Sequence, residues 1–251
     1  MANEPQTGYP VPPIAEAIIE LRFDSSFEEL HPKLMDRLKT RYPDDALLHN
    51  FNIHVDVDTV TATVTQNSVR HRLSNEDGSE LFLLGPNSIA IAQLPVYRGW
   101  DSFISRFKRD WKVAKGVIGF RKVARIGLRY TNKLDFPFED DLVKPEKYLN
   151  LFINTPSETG VMLQSSLTTA HEVAKLEAAM VIQSATIESL LPKHLGMLLD
   201  IDIGRASNVP QKDGAIFDYL EQARHFKNEV FEACITDVTR KTFYNDLRIG
   251  S

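Results

Sequence analysis

A single cysteine, Cys234, stands among 251 residues, so no internal disulfide framework is available and no oxidising compartment is required. The seven histidines form neither His-x-x-x-His nor His-Glu-x-x-His, and with no cysteine pair a structural zinc site is not expected. Long apolar runs are lacking too: none approaches the roughly 18 residues of a membrane helix. Met1 to Pro13 is polar and proline-rich, without the basic-then-apolar order of a signal peptide, so a cytoplasmic location is expected. Walker and dinucleotide loops and the Gly-x-Ser-x-Gly elbow are absent, and no catalytic constellation takes their place.

What is present suits a folded chain. Hydrophobic residues make up 43% and charged residues 25%, enough for a sizeable core, and the net charge of −5 argues against a general polyanion binder. After Pro12-Pro13, Ala15, Ala17, Ile19, Leu21 and Phe23 alternate with Glu16, Ile18, Glu20 and Arg22, the period of a half-buried strand. Phe27, Leu30, Leu34 and Leu38 then follow helical spacing. Short strands and turns fill Phe51 to Leu94, with Asn75-Glu76-Asp77-Gly78 and Gly85-Pro86-Asn87-Ser88 as turns. Trp100, Phe103, Ile104, Phe107, Trp111 and Ala114 form one apolar stripe of a helix that Gly116 is placed to end.

From Phe120 the order starts again. A strand runs to Lys133, a short helix is expected at Pro145–Phe152, and strands at Val161–Thr169, Ala174–Ile187 and Met197–Ile203. A long helix closes the chain from Asp213, read as its N-cap, toward Tyr244, with Ile216, Leu220, Ala223, Val230, Phe231 and Cys234 as its stripe. The expected fold is α+β: a twisted antiparallel sheet with long helices on one face. A β-α-β(3–5)-α unit is duplicated, with a leader at 1–13 and halves at 14–118 and 119–251 sharing one sheet. The element order resembles the tandem halves of the TATA-box-binding-protein fold. DNA-intercalating motifs are missing, so that activity is not implied.

The sharpest local feature is basic. Ten Lys and Arg residues lie between Arg106 and Lys133, with Asp110 the only acid. On a strand, Arg121, Arg125, Arg129 and Lys133 would share one face, a candidate for phosphates or a nucleic-acid backbone. Glu16 and Glu20 would project from the same face if the first strands of the halves pair, and would neutralise part of the row. Asp200 and Asp202, and likewise Asp56 and Asp58 beside His54, alternate with apolar residues and are candidate ligands for Mg²⁺ or Mn²⁺ in a phosphohydrolase. The same text also arises on any half-exposed strand. Gly116-Val-Ile-Gly119 has the spacing of a KH clamp loop, but its place after a helix favours a simple stop.

Pro12-Pro13-Ile14-Ala15-Glu16-Ala17-Ile18-Ile19-Glu20-Leu21-Arg22-Phe23 resembles the opening signature of a sporadically distributed bacterial family without assigned activity. Arg125 to Lys133 is similar to its second block, and the terminal helix to its third. The resemblance implies carriage with accessory gene clusters; it implies no substrate and no catalytic residue. The expectation is a non-enzymatic binding protein without cofactor, acting on a protein partner and open to self-association. Nucleic-acid or phosphate binding through the basic face is the alternative.

Overall fold

A computed structural model describes residues 9–56, 61–139, 143–160 and 162–245. Nine strands form an open antiparallel sheet in the order β2-β3-β4-β5-β1-β6-β9-β8-β7. They are β1 (Ile14–Phe23), β2 (Asp44–Asp56), β3 (Thr61–Ser74), β4 (Glu80–Gly85), β5 (Ser88–Gln93), β6 (Val123–Pro137), β7 (Ser166–Val173), β8 (Ala178–Ile187) and β9 (His194–Arg205). The helices are α1 (His31–Leu38), α2 (Trp100–Ile118), α3 (Pro145–Tyr148), α4 (Asp213–Cys234) and α5 (Asp237–Asn245). The chain divides into two compact units, Ile18–Gly127 and Met1–Ala17 with Leu128–Ser251, so β1 and β6 are each split between them. Among the described residues, no helix is long and apolar enough to cross a membrane.

In the Ile18–Gly127 unit, alternation sends Ile19, Leu21 and Phe23 into the core, where each is at most 1% exposed. Phe23 stacks on Trp111 of α2, 5.9 Å between ring centroids, so α2 covers this face. The expected stripe of α2 is buried throughout, from Trp100 to Ala114. Each fully buried large side chain contributes about 1.5–3 kcal/mol, which is what fixes the helix on the sheet. Gly116 does not end α2. The helix continues to Ile118 and stops at Gly119, whose φ of 71° is a conformation glycine adopts without a Cβ clash. The strand expected from Phe120 therefore begins only at Val123, and Phe120 is 79% exposed. α1 is preceded by a 3-10 turn at Glu28–Leu30 and carries Pro32 in its first turn, where no amide is needed.

The core end of α2 also holds charge. Asp110, fully buried, accepts hydrogen bonds from Tyr42 Oη (2.6 Å), Arg109 Nε and Nη2 (2.8 and 3.0 Å) and Arg41 Nη1 (3.3 Å). Arg106, 5% exposed, donates to the Ala92 carbonyl and the Gln93 side chain. Buried charges survive only when hydrogen-bonded in this way.

In the other unit, α4 buries Ile216, Tyr219, Leu220, Ala223, Lys227, Phe231 and Cys234. Val230, expected in the stripe, is only half-buried, and Lys227 occupies the row instead. Asp213 is the first helical residue rather than the cap; Lys212 takes the cap position. The single closing helix is two. α4 ends at Cys234 because Ile235 turns extended (φ −108°, ψ 154°) and bridges to Leu149. Thr236 precedes α5 as its cap, its Oγ1 accepting from the Thr239 amide at 3.5 Å and donating to the Lys147 carbonyl at 2.7 Å. Phe136 stacks on Tyr148 of α3, 4.3 Å between centroids, so the even-numbered face of β6 is the helix-covered one here. The strand expected at Val161 starts at Ser166, and residues 174–176 form a 3-10 turn before β8.

Candidate functional site

In each unit helices pack against one side of the strands, α2 through Trp111 on Phe23 and α3 through Tyr148 on Phe136, and most of the basic row alternates with the residues of that side. β6 alternates with Ile126, Leu128 and Tyr130 buried and Arg125, Arg129 and Lys133 on the opposite side. Arg121 does not join them. It precedes β6, donates from Nη2 to Glu29 (3.4 Å) and lies over the Phe27 ring, with its buried Nε lacking an acceptor. The early helix stop at Gly119 and late strand start at Val123 place it on a loop, so the four-residue row becomes three.

Within Ile18–Gly127 that opposite side is organised by Glu20, 8% exposed. Its Oε2 accepts from Arg22 Nε at 2.8 Å and Arg125 Nη1 at 3.0 Å, and its Oε1 lies 3.9 Å from Arg70 Nη2. One glycine makes this geometry possible: a Cβ on Gly127 would stand 2.3 Å from Arg125 Nη1, so the guanidinium uses the space over bare backbone. Arg70 passes over Gly85 at ordinary contact distance, its Nε 3.7 Å from where a Cβ would be. Arg22 remains 48% exposed at its side chain. Three guanidiniums thus meet around one carboxylate.

In the second unit the balance is reversed. Arg129 Nε reaches both Asp200 oxygens, at 2.8 and 3.0 Å, and Thr131 Oγ1 donates to Oδ1 at 2.7 Å. Asp200, not Glu16, is the partner of Arg129. The hydrogen bonds to Asp200 hold its pKa above the ordinary guanidinium value against burial, with the charges of Asp200, Asp202 and Glu16 adding to the effect. Burial pushes the Glu16 carboxyl up; Arg129 opposes this and the Asp200 charge adds to it. Lys133 is half-buried further along the same strand.

The register places Asp200 opposite Gln183 and Asp202 opposite Val181, on one side of β9 as alternation requires. Asp200 is 4% exposed and its oxygens are occupied by Arg129 and Thr131, so a divalent cation there must displace a guanidinium. No group of three His, Cys, Asp or Glu with metal-binding geometry occurs among the described residues. Asp58 lies outside those residues, as do the side chains of Asp56 and His54. His31, 4% exposed, is held by the Gly85 carbonyl at 3.1 Å, and burial lowers its pKa. Cys234 is buried in the row of α4, and burial raises its thiol pKa.

The alternation of the sequence pointed to Glu20, Arg125 and Arg129 but not to Arg22 and Arg70 as parts of these clusters, nor to Lys227 in the buried row of α4. Arg22 was legible, since it follows Glu20 by two residues on one strand. Lys227 was legible as well, standing between Ala223 and Phe231 in the apolar row. Arg70 was not, because only the order β3-β4-β5-β1 brings it to Glu20. No protein-family model matches the chain, and no curated protein matches it.

Proposed function

We propose that this chain is a non-enzymatic binding protein of the bacterial cytoplasm whose arginine-bearing sheet face engages an acidic surface of a protein partner. The observation that carries the reading is the fixed arrangement of Arg22, Arg70 and Arg125 around buried Glu20, on the side of β1 opposite buried Ile19, Leu21 and Phe23. Arginines locked before binding lose little side-chain entropy on association, and arginine is enriched among residues that dominate interface energies. The single buried cysteine supports a reducing compartment. The similarity of Pro12 to Phe23 to the bacterial opening signature supports the assignment to bacteria.

The test is affinity capture from native extract with wild type and Arg22→Glu, the most exposed of the three. A partner recovered at stoichiometric yield by wild type and lost with the variant is the expected result. Recovery of no stoichiometric partner, or equal recovery by both, overturns it. The three guanidiniums gathered at Glu20 also favour a second reading, binding of a phosphate ligand or nucleic acid at the same place. That reading requires affinity to fall steeply from low to moderate salt, because each phosphate contact releases counterions. A flat salt dependence rejects it.

A further inference from the structure

We infer that β7 is a self-association edge, and that two copies of this chain pair antiparallel along it about a two-fold axis passing midway between their Thr169 residues. β7 is the last strand of the sheet order, and its ladder with β8 is unbroken from Ser166↔Ala185 to Val173↔Ala178. The Thr186 amide donates to the Ser165 carbonyl at 2.9 Å, which makes that a hydrogen-bonded pair. Alternation then directs the backbone groups of Leu167, Thr169, His171 and Val173 toward β8. Those of Ser166, Thr168, Ala170 and Glu172 point outward, where no backbone partner meets them among the described residues.

The two edges of the sheet differ. β2 begins with exposed Asp44 and Asp45 and carries a register break at Asn50/Phe51, both devices that discourage pairing. β7 reads Ser-Leu-Thr-Thr-Ala before its first titratable residue, with no proline, glycine, lysine or bulge. Ser166, Thr168 and Ala170 are exposed, and Val181, 37% exposed, adjoins Ala170 on β8.

The occupant follows from parity. Antiparallel pairing at this edge must join outward-facing residues, all even-numbered, to one another. The register that uses the whole strand sets Thr168 opposite Ala170 of the second copy, Ser166 opposite Glu172, Leu167 opposite His171, and Thr169 opposite itself. No like charges face each other, and a Thr–Thr pair of the favourable cross-strand kind sits at the centre. A strand that is its own complement under a two-fold axis is the isologous arrangement of the commonest oligomers.

Thr169 faces its counterpart in a non-hydrogen-bonded pair, where Cα atoms stand about 4.5 Å apart, within the roughly 4.4–6.8 Å a disulfide spans. Thr169→Cys should therefore cross-link to a covalent dimer on mild oxidation, whereas Leu167→Cys, whose counterpart is His171, should not. The native Cys234 is buried and serves as the internal control. By light scattering the wild type should show twice the 28.5 kDa of one chain, and Ala170→Pro, which removes one outward amide, should halve it. Thr169→Lys, which opposes two ammonium groups across the axis, gives the same reading if the proline variant fails to fold. A single-chain mass for wild type at high micromolar concentration overturns the inference. So does a dimer that survives both variants, or cross-linking at Leu167→Cys in place of Thr169→Cys.

Discussion

Replacing Lys227 by methionine should stabilise the protein at neutral pH, with a gain that fades as pH rises. The side chain is 6% exposed and its ammonium lies 3.9 Å from the Tyr130 ring centroid. No carboxylate among the described residues forms an ion pair with it. Burial, helped by Arg224 and opposed by Glu232, lowers its pKa to about 7. In the unfolded chain the lysine titrates near its ordinary value of about 10.4. Between these two values the unfolded state holds the extra proton, so stability rises with pH across the window; below it the full cost of the buried charge is present. Linkage puts that cost at about 4 kcal/mol at pH 7 and about 1 kcal/mol at about pH 9.5. Losing the cation–π contact returns about 1–2 kcal/mol. The variant should thus be about 2–3 kcal/mol more stable at pH 7 and only about 1 kcal/mol more stable at the higher pH, where the folded-state lysine is neutral and has no cation–π contact to lose. Urea unfolding of both proteins at the two pH values measures this. A stability difference that does not change with pH, or a variant less stable at pH 7, would refute the reasoning.

The other predictions concern the buried and arginine-bearing clusters. Asp110→Asn should lower stability by about 2–4 kcal/mol, because it leaves Arg109 and Arg41 facing a neutral amide in place of a buried carboxylate; thermal denaturation reads the loss. Gly127→Ala should change stability by less than about 1 kcal/mol, since its methyl group needs only the space of the Arg125 guanidinium, the far end of a flexible side chain that swings aside, and should weaken partner capture along with Arg22→Glu. Asp200→Asn should bring the Glu16 pKa down toward its ordinary value, as one charge that raises it disappears; carboxyl-carbon NMR titration follows that group directly. The Cys234 thiol should react with a disulfide reagent only at the rate of unfolding, burial having raised its pKa and closed access.

The strands and helices were legible wherever one face of an element is buried and the other wet. β1 and α2 show this most clearly: their alternation and apolar stripe, from Ile19 to Phe23 and Trp100 to Ala114, match the observed burial. Element ends were less legible, because they depend on groups outside the element. Gly119 ends α2 where Gly116 had been expected, since the helix terminates at the glycine that adopts positive φ and not at the first glycine met. The division of the last helix at Ile235 depends on a bridge to Leu149, 86 positions earlier in the chain.

For Arg125, Arg129 and Lys133, the sequence by itself determined which side of a strand each takes, because side-chain direction alternates with residue number; Arg121 fell on a loop instead. It also determined that the chain has one thiol, no membrane-crossing helix among the described residues, and too little positive charge overall for indiscriminate polyanion binding. Which acid each arginine meets was decided by the tertiary structure. Arg129 closes on Asp200 and Arg70 on Glu20 only because β9 lies beside β6 and β3 lies three strands from β1. Pairing of that kind depends on strand order, which is set by the packing of whole elements and leaves no local trace in the residues it brings together.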